Sequence, residues 1–352
     1  MWRATTGGTL AACVVAAAVS TAQSHQVPAP RTAPVEVVGS SGNMSPIVEN
    51  LEAGVHFYQD LLGLVLSRPA RTVSHTDVPP PPLLDNQGTP DARLRWVGIT
   101  IPGSRWGLEL LEFTEIDRKP AQPRLQDPGA MTLVLQVRDI DRLVARLKQA
   151  QVAVVTPGGH PVALVAASGR ARAVVVRDPS GHFVELQQPD PLPTSSVPPD
   201  SNVIGAHVRV TVADTDDTLR LYRDRLGFQP EVGSFSGEST RLRLMGISGA
   251  QFRVTTAAVP GVPQQTLEFI EFKGIDRSPV RTRIQDPGSS RIQLRVRDLA
   301  VAIAEFKAVG GTVTSTHGKP VILGNIPTVI VREMNNIFVV VQQPAPATPA
   351  NH

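Results

Sequence analysis

Cysteine is nearly absent from this chain of 352 residues, since Cys13 is the only one. If the amino-terminal segment is removed on export, the mature protein has no disulfide, no thiol and no thiolate metal site. The formal net charge is only +3 and is scattered along the chain. So small a charge excludes the basic surface expected of a nucleic-acid-binding protein.

Several familiar catalytic fingerprints are also missing. No Ser-His-Asp set, phosphate-binding loop or glycine-rich dinucleotide fingerprint occurs in a suitable context. The sequence therefore gives no support to a serine hydrolase, a P-loop enzyme or a dinucleotide-dependent enzyme.

Residues 1–22 have the features of a secretory signal peptide. An apolar run from Leu10 to Val19, too short to span a bilayer, leads to Ser20-Thr21-Ala22 with small residues at the cleavage positions. The pattern predicts cleavage between Ala22 and Gln23 and export to the periplasm or the extracellular space. We expect no membrane association after cleavage.

The rest of the chain repeats one long motif. Residues 108–129 return as residues 267–288, and 13 of these 22 positions are identical. Both copies contain the segments Ile-Asp-Arg and Gln-Asp-Pro-Gly. Identity at this level is far above chance, so the sequence predicts two copies of one domain.

The repeat sets the predicted domain boundaries. The first domain spans 34–189 and the second spans 203–343, with a Pro-rich linker at 190–202. Residues 344–352 are rich in proline, and we expect a disordered tail there. Because both domains lie in one chain, a monomer is compatible with the sequence, which leaves the oligomeric state open.

Each domain divides again into two modules, in which a strand and a helix precede three further strands. The four modules span residues 34–115, 131–188, 203–273 and 290–343. Their opening strands are predicted at 43–48, 131–137, 203–212 and 290–296. The helices that follow are predicted to begin at Asn50, Asp139, Asp214 and Asp298 and to end near Leu62, Ala150, Leu226 and Val309. The pattern predicts an α+β fold made of four βαβββ modules.

The run Arg177-Asp178-Pro179-Ser180-Gly181-His182 joins two apolar strands by a tight turn. The strand after the turn carries Glu185 on a fixed face. Together with the repeated modules, this hairpin resembles the closing hairpin of the vicinal-oxygen-chelate superfamily, which includes glyoxalase I, bleomycin-resistance proteins and extradiol dioxygenases. The resemblance implies two tandem glyoxalase-like domains with open, curved, mixed sheets and helices on their outer faces.

Polar and apolar residues alternate along the opening strands, and this pattern predicts which side chains face a cleft. Valines at 208, 210 and 212, for example, alternate with His207, Arg209 and Thr211. We expect the polar rows to line the concave faces, where guanidinium groups suit a carboxylate or a phosphate. The candidate ligand-binding residues are Arg209, Arg291, Arg295, Gln293, Thr132 and Gln136.

The resemblance also implies metal ligands, with two positions from each of two paired modules. If modules pair within a domain, the sets are Asn43, Glu109, Thr132 and Glu185, and His207, Glu268, Arg291 and Val340. If modules two and three pair instead, Glu185, His207, Glu268 and Thr132 form one candidate site for Fe, Mn, Ni, Zn or Mg. The second site then holds Asn43, Glu109, Arg291 and Val340 and cannot bind a metal. A metal-free alternative makes Glu268 part of an ion pair, with Arg291 as its candidate partner.

Two functions of different classes therefore stay open. The first is an exported protein that binds a small oxygenated or anionic molecule in a concave cleft and has degenerate metal sites. The second is a metal-dependent glyoxalase- or dioxygenase-like enzyme, either a lyase or isomerase or a ring-cleaving dioxygenase. In that enzyme Glu185, His207 and Glu268 hold the cation that polarises vicinal oxygens. No further catalytic residue is indicated, and the sequence does not name the small-molecule ligand.

We expect the mature protein to begin at Gln23, because the small residues of the cleavage pattern end at Ala22. Amino-terminal sequencing of the exported protein checks this. Recovery of an uncleaved chain from the cytoplasm would show that residues 1–22 do not act as a signal.

Overall fold

The computed structural model describes residues 34–166 and 169–345. The predicted signal peptide and residues 346–352 of the predicted tail lie outside this part of the chain. Within the two described stretches, no helix has both the length and the apolar character needed to cross a membrane.

The first two modules contain nine strands. The elements of module one are β1 (Val37–Gly39), β2 (Asn43–Pro46), α1 (Leu51–Val55) with a π-helical continuation (His56–Leu61), β3 (Val65–Ser74), α2 (Pro82–Gln87), β4 (Arg93–Thr100) and β5 (Gly107–Thr114). The elements of module two are β6 (Met131–Val137), α3 (Ile140–Gln149), a 3-10 turn (Pro157–Gly159), β7 (Val162–Ala166), β8 (Gly169–Arg177) and β9 (Phe183–Asp190).

The second half repeats this order. The elements of module three are β10 (Val203–Val212), α4 (Thr215–Tyr222), β11 (Gln229–Val232), α5 (Ser239–Leu244), β12 (Gln251–Val259) and β13 (Val262–Lys273). The elements of module four are β14 (Ser290–Val296), α6 (Leu299–Ala308), β15 (Thr312–Val313), β16 (Val321–Leu323), β17 (Ile326–Arg332) and β18 (Phe338–Gln342).

Each of the two mixed sheets combines modules from different halves of the chain. Sheet A has the main order β15-β17-β18-β14-β2-β5-β4-β3, from modules four and one. Sheet B has the order β11-β12-β13-β10-β6-β9-β8-β7, from modules three and two. The predicted α+β fold with open mixed sheets is confirmed. Modules two and three pair, which was one of the two arrangements that the sequence left open.

The four predicted helix starts are confirmed. At Asn50, Asp139, Asp214 and Asp298 the backbone is extended, and the side chain accepts a hydrogen bond from the backbone N–H three residues further on. These contacts satisfy N–H groups of the first turn that have no partner within the helix. Helix α4 ends at Tyr222, before the predicted end at Leu226.

The alternation along the opening strands is confirmed by burial. The side chains of Val208, Val210 and Val212 are completely buried. They belong to one hydrophobic cluster that also contains apolar residues of β6 and β14 and of the helices. The apolar rows therefore form the core, and the polar rows are left on the opposite, concave faces.

The repeated Gln-Asp-Pro-Gly motif joins the two halves through reciprocal ion pairs. Arg124 donates to Asp127 of its own copy at 2.7 Å and to Asp276 of the other copy at 2.9 Å. Asp127 also accepts from the backbone N–H of Ser278 at 2.8 Å. The second copy makes the equivalent contacts from Arg283 to Asp286 and Asp117 and from Lys119 to Asp286. Each copy of the motif is therefore bonded to the other copy, and these contacts give the motif a structural role.

A buried acidic residue lies at the turn of each closing hairpin. In module two, Asp178 accepts a hydrogen bond from Tyr58 at 3.0 Å. In module four, burial raises the pKa of Glu333 to about 7, although its carboxylate accepts from the backbone N–H groups of Asn335 and Ile337. Ionised Glu333 is therefore unfavourable in the folded protein.

We expect Glu333→Gln to stabilise the protein at pH 8 and to have little effect at pH 5. The folded-state pKa of Glu333 lies above the ordinary value of 4.5. The stability contributed by this group is therefore complete below pH 4.5 and is lost as the pH rises through about 7. The upper bound of the gain at pH 8 is about 3 kcal/mol. Urea unfolding at the two pH values measures it, with exposed Glu231→Gln as the control. An equal effect of Glu333→Gln at both pH values would contradict this account.

Candidate functional site

The concave face of sheet B has a buried ion-pair cluster at its centre. Arg209 on β10 lies opposite Thr132 on β6 and beside Glu268 on β13. Its Nε donates to Glu268 at 2.8 Å, and a terminal nitrogen makes a short hydrogen bond to Glu185 on β9. Arg209 is 2% exposed and Glu185 is 0% exposed. One guanidinium therefore bridges two carboxylates from different halves of the chain.

The cluster keeps both carboxylates ionised. Burial opposes ionisation of Glu185, but Arg209 outweighs it and lowers the pKa of that carboxyl. Burial acts in the same way on Glu268, yet Arg209 and His207 together hold its pKa well below the usual range. The nearest ring nitrogen of His207 lies 3.2 Å from Glu268. Arg241 of α5 also lowers the pKa of both carboxyls, so two guanidinium groups balance two carboxylates at the centre of sheet B.

The three predicted metal ligands come together in this cluster, but they do not form a site that suits a metal. The guanidinium of Arg209 lies between Glu185 and Glu268, where a divalent cation would meet a like charge at short range. His207 is in register with Val134 rather than with Thr132. Over the described stretches, no group of three His, Cys, Asp or Glu residues is placed to hold a metal ion. The donor set does not fit the cation that the resemblance implied.

The strand register explains why the guanidinium lies at the centre. Arg209 is opposite Thr132 on β6 and beside Glu268 on β13, whereas His207 is opposite Val134. The pairing of Glu268 with Arg291 is also wrong, because Glu268 pairs with Arg209 and Arg291 belongs to sheet A.

A segment of module three covers the neighbouring part of this concave face. Leu242 and Leu244 of α5 and the adjacent Met245 belong to a hydrophobic cluster that includes Val175 of β8 and Phe272 of β13. The hydroxyl of Thr156 in module two donates to the backbone carbonyl of Leu244 at 2.8 Å. The protein's own side chains thus occupy the space beside the ion-pair cluster.

The concave face of sheet A, by contrast, contains a cleft of about 330 Å³. It lies beside α2 and is bounded by both polar and apolar side chains. The polar lining includes Asn43, Asn86, Gln87, Glu109, Arg291, Gln293 and Arg295. The apolar lining includes Trp96, Leu111, Ile326, Ile330 and Val340. The cleft therefore coincides with the set Asn43, Glu109, Arg291 and Val340, which the sequence indicated to be unable to bind a metal.

Arg291 is a buried cation at this cleft. It is 2% exposed, one terminal nitrogen makes a short hydrogen bond to the side-chain oxygen of Gln87, and its Nε has no partner among the described residues. The carboxylate of Glu109 instead accepts from Gln293 at 3.2 Å and from Ser45 at 3.4 Å. Burial lowers the pKa of Arg291 to about 10, so the guanidinium is still charged at neutral pH. The cleft thus contains a buried positive charge that no carboxylate contacts.

The six predicted ligand-binding residues do not share one surface. Arg291, Gln293 and Arg295 line the cleft of sheet A. Thr132, Gln136 and Arg209 lie on the strands of sheet B, because β6 and β10 pair with each other rather than with β14. The prediction that Arg209 and Arg291 lie on one concave surface is therefore wrong.

Residues around α2 were missed in the sequence. Asn86 and Gln87 line the cleft, but they follow the Pro79–Pro82 tract, whose composition is typical of a loop. The signal that could have found them is the pair Leu83-Leu84 directly after the prolines. Leu84 is buried against Leu94, Leu111 and Phe113 of sheet A.

Comparisons with known proteins agree with the fold. Residues 44–186 match the Glyoxalase/Bleomycin resistance protein/Dioxygenase superfamily. Glyoxalase I from Zea mays has 14% sequence identity and a TM-score of 0.53, and the match covers 87% of this chain and 92% of that protein. A dioxygenase candidate from Bacillus subtilis has 15% identity and a TM-score of 0.53, with 89% and 87% covered. No curated protein sequence matches this chain.

Residues 44–186 therefore resemble the Glyoxalase/Bleomycin resistance protein/Dioxygenase superfamily, as the motifs indicated. At these identities the two solved structures show a shared fold.

We expect Arg209→Ala to destabilise the protein by about 3–5 kcal/mol, because it removes the cation that contacts the fully buried Glu185 and one of the charges beside Glu268. The control is Arg172→Ala, which removes an exposed ion pair with Asp141 and should cost at most about 1 kcal/mol. Urea unfolding at neutral pH measures both variants. If Arg209→Ala and Arg172→Ala lower the free energy of unfolding by similar amounts, Arg209 is not the main stabilising charge of sheet B.

Proposed function

We propose that this protein is an exported binding protein that holds a small organic anion in the cleft of sheet A, with Arg291 as the principal anion-binding group. The observation that carries the proposal is the buried guanidinium of Arg291, whose Nε has no hydrogen-bond partner among the described residues. Export rests on the pattern of residues 1–22 alone.

The energetic argument compares two buried arginines. A charge that is buried without a counter-charge costs several kcal/mol, and a contacting carboxylate offsets that cost. Among the residues that the structure describes, Arg209 has two carboxylate partners, whereas Arg291 has only the amide of Gln87. Because Arg291 lines a cleft, a carboxylate from outside can supply the missing charge and form paired hydrogen bonds with the guanidinium.

The rest of the cleft suits an organic rather than an inorganic anion. Trp96, Leu111 and Val340 present apolar surface near the polar groups. A ligand with an acidic group and an apolar body can therefore bury both parts. The metal-dependent alternative has no matching donor set in either sheet, because Arg209 lies within one candidate site and Arg291 and Val340 belong to the other.

We expect Arg291→Ala to weaken the binding of octanoate by about 1.5–3 kcal/mol, because a hydrogen bond between charged groups is lost. Titration calorimetry measures the affinity, and the neutral analogue octanamide serves as a second probe. The parent should prefer octanoate to octanamide, and Arg291→Ala should lose this preference.

The matched control is Arg71→Ala, which removes an exposed arginine of sheet A outside the cleft lining and should leave both affinities unchanged. The melting temperature of each variant separates lost binding from lost folding. Equal affinity of the parent and Arg291→Ala for octanoate, or no binding by the parent, would overturn the proposal.

A further inference from the structure

The cleft of sheet A continues into a second chamber of about 270 Å³. We call the cleft beside Arg291 the first chamber. The linings of both chambers include Ser41, Asn43, Arg68, Trp96 and Glu109. The two chambers therefore form one elongated groove that crosses β14, β2, β5 and β4 in that order.

Two lining positions of the second chamber carry no side chain. Gly98 on β4 lies beside Glu109, and Gly107 on β5 lies beside Asn43. The residue beside Glu268 in sheet B, which matches Gly98, is Thr256. The repeat places Thr266 at the position of Gly107. Sheet A thus has glycine at two lining positions where sheet B has threonine, and neighbouring atoms of sheet A approach these glycines closely.

Positive charge lines both ends of the groove. Arg105 is exposed at the second chamber, Arg68 is exposed in the lining that the two chambers share, and Arg291 and Arg295 line the first chamber. Glu109 is the one acidic residue that lines either chamber. The groove therefore has an excess of positive charge, with the indole of Trp96 in the lining that the chambers share.

We propose that the groove binds an elongated dianion, in which an apolar segment joins two acidic groups. One acidic group pairs with Arg291 and Arg295, the other with Arg68 and Arg105, and the apolar segment packs on Trp96. This inference rests on the proposed function, because it uses Arg291 as the first anion-binding group.

The width of the groove sets the length of the ligand. Neighbouring strands are about 4.8 Å apart, so the backbones of Arg291 on β14 and Arg68 on β3, four strand spacings apart, are separated by about 19 Å. The arginine side chains reach inward from both ends and shorten the span. A dicarboxylate such as suberate fits this distance, whereas succinate is too short to contact both pairs of arginines.

The test compares octanoate, succinate and suberate by titration calorimetry, with the quenching of Trp96 fluorescence as a second signal. We expect suberate to bind at least tenfold more tightly than octanoate, and succinate to show no such gain. Gly98→Thr, which introduces the side chain that sheet B has at Thr256, should remove the gain and leave octanoate binding unchanged. The backbone of Gly98 is not left-handed, and a new Cβ there would meet Ser67 Oγ at 3.0 Å.

Arg105→Ala is the second variant, and because this side chain is exposed, its removal should not affect folding. It should also abolish the advantage of suberate. Equal binding of suberate and octanoate by the parent would overturn this inference but leave the proposed function intact. If Arg105→Ala still binds suberate more tightly than octanoate, the second acidic group does not bind where we propose. Failure of the parent to bind any of the three acids would overturn the proposed function itself.

Discussion

The ion pairs of Arg209 with Glu185 and Glu268 hold the centre of sheet B together. They join β9 of the first half to β10 and β13 of the second, in the same place where β6 and β10 pair. Because these charges neutralise one another, this face needs no ligand, and the α5 segment packs beside it. The pairing of modules two and three thus brings together charges that balance one another on the covered face of sheet B.

Sheet A differs from sheet B in the cation as well as in one acid. Gln293 lies beside Val340 on the strands of module four, where Arg209 lies beside Glu268 in module three, and Glu109 is the carboxylate that sheet A keeps. Glu109 bonds to Gln293 and Ser45, and Arg291 is left with an amide partner. The positive charge is thus available at a cleft, which explains how two similar sheets differ in their capacity to bind a ligand.

The sequence predicted the features that depend on neighbouring residues. Asn50 and the three aspartates at the helix starts act within one turn, and the alternation along β10 needs a single strand, so both were readable. The pairing of β6 with β10 could not be predicted from the sequence, because it joins two distant segments. The alternation along each opening strand fits either of the two possible module pairings equally well. The role of Arg209 depends on that register, because only the pairing of these strands brings its guanidinium between Glu185 and Glu268. Asn86 and Gln87 were missed because α2 is too short to show a helical period.

The central claim is that Arg291 is the anion-binding group of sheet A. A crystal structure of the protein grown with suberate tests it most directly. The account predicts one carboxylate within hydrogen-bond distance of Arg291 Nε, with Arg209 still paired to Glu185 and Glu268 in sheet B. Suberate bound elsewhere, with the cleft beside Arg291 filled only by water, would contradict it.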